Sequence, residues 1–108
     1  MAIKSLPGCT MQPFHCDSAD SCRGLSTVDP HDVSLSVLLA VMPGSRLLFK
    51  FNDGSIREIV LQLGDVLVFR GDRCHAGAPY DYWNVRIHAY VDLQGYRESG
   101  YTFPCTCT

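Results

Sequence analysis

The stretch that decides the fold is GDVLVFRGDRCHAGAPYDYWNVRIHAYVD, Gly64 to Asp92. Its first part, Asp65 to Arg70, carries the apolar run Val66-Leu67-Val68-Phe69 and stops at Gly71-Asp72-Arg73, a turn signal. A brief extended piece, Cys74 to Ala78, follows and contains His75. After a loop at 79–84, Val85 to Asp92 reads as a strand. Alternation puts Arg86, His88, Tyr90 and Asp92 on one face and Val85, Ile87, Ala89 and Val91 on the other. Four polar side chains on one face of an otherwise apolar strand point to a wet, functional interior.

Working outward, the same period-two grammar recurs upstream. Val33 to Met42 (VSLSVLLAVM) begins with strict alternation and ends apolar on both faces, as a strand buried more deeply at its end does. Pro43-Gly44-Ser45 turns the chain into Arg46 to Phe51. Asn52-Asp53-Gly54 is a hairpin signal, since Asn, Asp and Gly tolerate positive φ, and Ser55 to Leu61 returns. Residues 1–13 read as an irregular lead-in, Phe14 to Asp17 as a short extended piece, 18–32 as a loop and 93–108 as a turn-rich tail. No helical period or internal repeat stands out. Short strands at regular spacing imply an all-β sandwich or barrel. Apolar residues on both faces require a cover for the outer one. The chain therefore either dimerises or is the core of something longer.

The 108 residues suffice for a single domain, 1–108. Apolar residues at 46% and charged ones at 19% exclude a disordered chain. A net charge of -2 from intermixed signs gives no basic stripe for nucleic acid. No run reaches the ~18 apolar residues of a membrane span, and the start lacks the apolar core of a secretory signal. The expectation is an intracellular, cytoplasmic protein whose thiols are reduced. Its six cysteines contain no CxxC pair, so a zinc site from Cys9, Cys16, Cys22, Cys105 and Cys107 is weakly signalled.

In an extended Phe14-His15-Cys16-Asp17, His15 and Asp17 point the same way and Cys16 points oppositely. His15, Asp17 and His75 would give one ion two imidazoles and a carboxylate, leaving three positions open on an octahedral metal. Arg86 could then grip a carboxylate with two prongs. The plainer alternatives are a surface turn pair for His15 and Asp17, a turn histidine for His75, and an ion pair with Asp92 or Asp65 for Arg86. Tyr80, Tyr82 and Trp83 read either as a substrate rim or as core aromatics, and His31 as a solvated loop residue.

His15-x-Asp17, then His75 in HAG, then Arg86 in NVRIHAYVD, resembles the HxD…H…R signature of the Fe(II)- and 2-oxoglutarate-dependent oxygenases. The stretch from Gly64 to Asp92 looks especially like uncharacterised oxygenase-like proteins of microbial eukaryotes. The resemblance covers residues 12–92. It implies a double-stranded β-helix (jelly roll, cupin-like) in minimal or truncated form. It also implies Fe(II) on His15, Asp17 and His75, with the distal carboxylate of 2-oxoglutarate on Arg86. The implied reaction uses O2 to hydroxylate or demethylate a substrate the sequence does not identify, releasing succinate and CO2. The family often has Ser or Thr two residues after that arginine; here His88 stands there, a candidate second co-substrate contact. Tyr80 and Trp83 are candidates for the substrate rim. Two alternatives are a cupin-type metal protein independent of 2-oxoglutarate and a non-catalytic jelly-roll binding module, since fold does not fix function.

Overall fold

A computed structural model describes residues 1–17 and 34–91, together with the backbone of 103–104. Among the described residues nine strands run in chain order: β1 (Ala2–Ser5), β2 (His15–Cys16), β3 (Leu35–Ala40), β4 (Ser45–Lys50), β5 (Ile56–Leu61), β6 (Val66–Arg70), β7 (His75–Gly77), β8 (Asn84–Val91) and β9 (Phe103–Pro104). They form two antiparallel sheets, of order β1-β8-β3-β6 and β5-β4-β7-β2-β9. The described residues contain no helix, and hence none long and apolar enough to cross a membrane. The expected all-β, jelly-roll-like architecture is what the chain adopts.

The core lies between the sheets. Leu38 and Ala40 from β3 meet Leu47 of β4 and Leu61 of β5, flanked by Phe49, Ile59, Leu67 and Phe69. Burying each of these leucines contributes about 1.5–3 kcal/mol. The hairpin at Asn52-Asp53-Gly54 forms as expected. Asp53 accepts from the Ser55 amide and hydroxyl at 2.9 and 2.6 Å, which draws its carboxyl below the usual range, and Gly54 takes φ +84°. The β5–β6 turn uses Gly64 at φ +87°, where a residue with a Cβ is strained.

One reading changes. Residues 1–13 are not wholly irregular: β1 pairs with β8, placing Ile3 opposite Arg86 and Ser5 opposite Asn84. Its short, mixed pattern offers little periodicity, and pairing with β8 supplies its order. On β3 the serine face is the inner one. Ser34, Ser36, Leu38 and Ala40 are buried, while Leu35, Val37 and Leu39 are half-buried on the outer side. With Val66, Val68, Ile87 and Val91, each 39–55% exposed, they give the four-stranded sheet an apolar outer face. The loop at 18–32 and the tail at 93–108 fall outside the described residues, apart from the backbone of β9. His31 and Asp92 lie outside them too.

Candidate metal centre

The pairing of β2, β7 and β4 builds the site. His15 and His75 are direct cross-strand partners, so their side chains leave the same face, and their ring centroids lie 4.5 Å apart. Phe49 is the partner of His75 on the other side. Phe69, from the opposite sheet, meets the His75 ring edge-on at 4.8 Å. These aromatic contacts hold the imidazole in one orientation.

Asp17 follows two residues after His15. Its amide donates to the Gly71 carbonyl at 2.9 Å, and Ser36 Oγ, reaching across from β3, donates to Asp17 Oδ2 at 2.7 Å. The carboxylate is 1% exposed. Three imidazoles face it: His75 Nε2 at 3.5 Å and His88 Nε2 at 3.9 Å from Oδ2, and His15 Nε2 at 3.9 Å from Oδ1. One ligand atom from each of His15, Asp17 and His75 lies within 4.8 Å of the others.

The tautomers follow from the backbone. His15 Nδ1 lies 2.9 Å from the Pro13 carbonyl and His75 Nδ1 lies 2.8 Å from the Arg73 carbonyl. A carbonyl oxygen only accepts, so each Nδ1 carries a proton, and each Nε2, the atom that faces Asp17, is the one whose lone pair a metal would take. Carbonyls behind metal-binding imidazoles orient them in this way. Burial pushes the His75 pKa down, against the opposing pull of Asp17, and does the same for His88. Neutral imidazole is the form that coordinates. A buried carboxylate, two convergent Nε2 atoms and a third imidazole nearby fit a divalent cation.

Arg86 enters the same cavity of ≈ 180 Å³, which it shares with His15, Asp17, His75 and His88 between the apolar walls of Leu38, Leu47 and Phe69. By the ~30 Å³ share of a liquid water, that is space for roughly six waters, the scale of a small organic acid. Arg86 is 5% exposed. Its Nη1 donates to Ser5 Oγ at 3.1 Å and Asn84 Oδ1 at 3.4 Å, and its guanidinium lies 5.1 Å from the Tyr80 ring centroid. Among the described residues it has no carboxylate partner. Asp65 does not pair with it and instead accepts from the Gln62 amide.

His88 and Tyr90 line the cavity as well. His88 Nε2 is buried and has no hydrogen-bond partner among the described residues. Tyr80 and Trp83 are not among the cavity's lining residues. Tyr80 is 6% exposed, its hydroxyl accepting from the Arg46 amide and donating to the Arg46 carbonyl. Trp83 is 52% exposed with the Lys4 ammonium over its ring at 5.3 Å. Sequence reasoning missed Ser36 and Ser5. Ser36 left a signal, a serine pair alternating with apolar residues on a core strand. Ser5 left none, because β1 was not read as a strand.

Cys16 points away from the ligands, as alternation requires, and is buried. It is disulfide-bonded, so the expectation of reduced thiols fails at Cys16 and it offers no thiolate to zinc. Cys9 is a free thiol.

No protein-family profile and no curated protein sequence matches the chain. Among solved structures, the chain is similar to AviO1 from Streptomyces viridochromogenes Tue57, with a TM-score of 0.61 and 13% sequence identity. The match covers 90% of this chain and 51% of AviO1, so the chain spans about half of that protein's length. At this identity the likeness speaks for the fold alone: a two-sheet, jelly-roll, cupin-like β structure that carries a candidate His-Asp-His metal centre.

Proposed function

We infer that the chain is an Fe(II)- and 2-oxoglutarate-dependent dioxygenase that hydroxylates or demethylates a substrate. The observation that carries this reading is the placing of Arg86, a buried cation without a carboxylate partner among the described residues, in one cavity with His15, Asp17 and His75. Burying an unpaired guanidinium is expensive. A small dicarboxylate that reaches both the metal and Arg86 offsets that expense.

In this reading His15 Nε2, the Asp17 carboxylate and His75 Nε2 hold the iron. Bound iron supplies O2 activation coupled to oxidative decarboxylation of 2-oxoglutarate to succinate and CO2. The chain's own residues do the rest. Arg86 grips the distal carboxylate, and Ser5 and Asn84 fix the guanidinium. Ser36 orients Asp17. Leu38, Leu47 and Phe69 exclude water, and His88 lines the cavity with an Nε2 that no described residue hydrogen-bonds, available to a bound ligand. The direct test is succinate formation from 2-oxoglutarate with Fe(II), O2 and ascorbate, uncoupled turnover included. Iron-loaded chain that never forms succinate counts against the reading.

One observation favours a second reading, a cupin-type metal enzyme without 2-oxoglutarate. The third imidazole, His88, crowds Asp17 where the oxygenase signature often has Ser or Thr. That reading expects Arg86→Ala to leave metal-dependent activity intact, whereas the first expects co-substrate affinity to collapse. A non-catalytic binding module expects His15→Ala and Asp17→Ala to leave metal content unchanged.

A further inference from the structure

Arg86 is reached from two sides. Behind it lies a second recess of ≈ 360 Å³, between β1 with the segment that follows it and Gly77-Ala78. Ser5, Leu6, Cys9, Thr10, Gln12 and Arg86 contribute to its lining, and no carboxylate does among the described residues. Ser5, the acceptor for Arg86 Nη1, lines this recess and not the metal cavity. Gln12 stands between the two spaces. Its side-chain Oε1 accepts from the Gly77 backbone amide at 2.9 Å, and the Gln12 backbone amide donates to the Gly77 carbonyl at 3.0 Å. A Cβ at Gly77 would sit 2.7 Å from that Oε1, so glycine is what lets the carboxamide lie flat as a partition. Lys4 also borders the recess, but its ammonium is turned over Trp83. The charge that acts here is therefore Arg86.

We propose that this outer recess is a binding site for a small oxyanion, a carboxylate or a phosphate, held by Arg86 with the hydroxyls of Ser5 and Thr10. The guanidinium has five N–H donors, and the only hydrogen bonds it makes among the described residues come from Nη1. It can thus serve an anion here while facing the metal cavity. An anion in this recess offsets the same unpaired charge, so its occupancy weakens the hold of Arg86 on any anion in the metal cavity. The site needs no metal and does not depend on the dioxygenase reading.

Cys9, a free thiol on the recess wall, is the reporter. The metal-free full chain is treated in parallel with iodoacetate and iodoacetamide. Modification at Cys9 is then measured by peptide mapping, with a Cys9-containing peptide as reference. The expected result is an iodoacetate-to-iodoacetamide rate ratio about tenfold above that of the peptide, the factor a single charge-assisted contact provides. Saturable protection by succinate or by inorganic phosphate accompanies it. Whichever protects at lower concentration identifies the anion class. Arg86→Met returns the ratio to the peptide value, and Lys4→Gln does not. A wild-type ratio equal to the peptide's, without protection by either anion, overturns the proposal. So does a preference that Lys4→Gln abolishes and Arg86→Met keeps. The wild-type comparison needs no variant to fold. Because no iron or 2-oxoglutarate is present, this test and the dioxygenase test fail independently.

Discussion

Replacing Arg86 by methionine moves stability and co-substrate affinity in different ways, and the structure sets both magnitudes. Methionine keeps an unbranched apolar stem in the cavity and removes a charge that is 5% exposed and has no carboxylate partner among the described residues. The lost hydrogen bonds leave little stranded. Asn84 Oδ1 still accepts from Ser45 Oγ at 3.0 Å, and the half-buried Ser5 reaches water. Replacing buried charges with apolar groups of similar volume is commonly neutral or stabilising by about 1–4 kcal/mol. Unfolding in urea is therefore expected to show unchanged or raised stability. For 2-oxoglutarate, a two-pronged contact to the guanidinium is two charge-assisted bonds at about 1.5–3 kcal/mol each. Their loss weakens binding by about two to four powers of ten, read by anaerobic calorimetry on iron-loaded protein. A loss of more than about 2 kcal/mol in stability, with 2-oxoglutarate affinity within twofold of the wild type, would refute the reasoning and make Arg86 a structural residue.

Three further outcomes are expected. Ser36→Ala removes the 2.7 Å donor to the buried Asp17 carboxylate and should lower metal affinity about 10–100-fold, measured by competition with a chelator; an unchanged affinity would show that Ser36 does not orient the ligand. Burial lowers the His75 and His88 pKa values, so on acidification the unfolded chain takes up those protons first. Stability of the metal-free protein should be full above about pH 6.5, where unfolded histidine is neutral, and should fall below it with a slope of at most about 1.4 kcal/mol per pH unit for each imidazole. A melting temperature that stays flat or rises between about pH 7 and 5 would contradict this. Gly54→Ala forces a Cβ into φ +84° and should cost about 1–2 kcal/mol, a drop of roughly 4–16 °C in the melting temperature of a domain this size; a drop below about 2 °C would mean the turn relaxes freely.

The parts of the fold legible in the sequence were those written in period two. The strand carrying Arg86, His88 and Tyr90 has its polar side chains facing the cavity, as alternation required, and the Asn-Asp-Gly turn closes its hairpin. The spatial convergence of His15 and Asp17 with His75 came from a motif, and the physical reason for it appears only in the register that pairs His15 with His75. β1 was illegible because four residues of mixed character carry no period, and β8 supplies their order. The inward serine face of β3 ran against composition, since Ser36 is buried to serve Asp17 and not to fill the core. Tyr80 and Trp83 show how little an aromatic residue beside a strand says alone. Tyr80 braces the Arg46 backbone, and Trp83 meets a lysine.

If His15, Asp17 and His75 hold one iron ion and Arg86 presents the co-substrate to it, 2-oxoglutarate binding must depend on the metal. Anaerobic calorimetric titration of 2-oxoglutarate into the chain, with and without one equivalent of Fe(II), measures that dependence. One molecule that requires iron should bind per chain, and this iron-dependent binding should vanish in Asp17→Ala; any binding without iron should be the anion binding of the outer recess, which inorganic phosphate displaces. Wild-type and Asp17→Ala chains that behave alike with Fe(II), or iron that adds nothing to 2-oxoglutarate binding once phosphate is present, would contradict it.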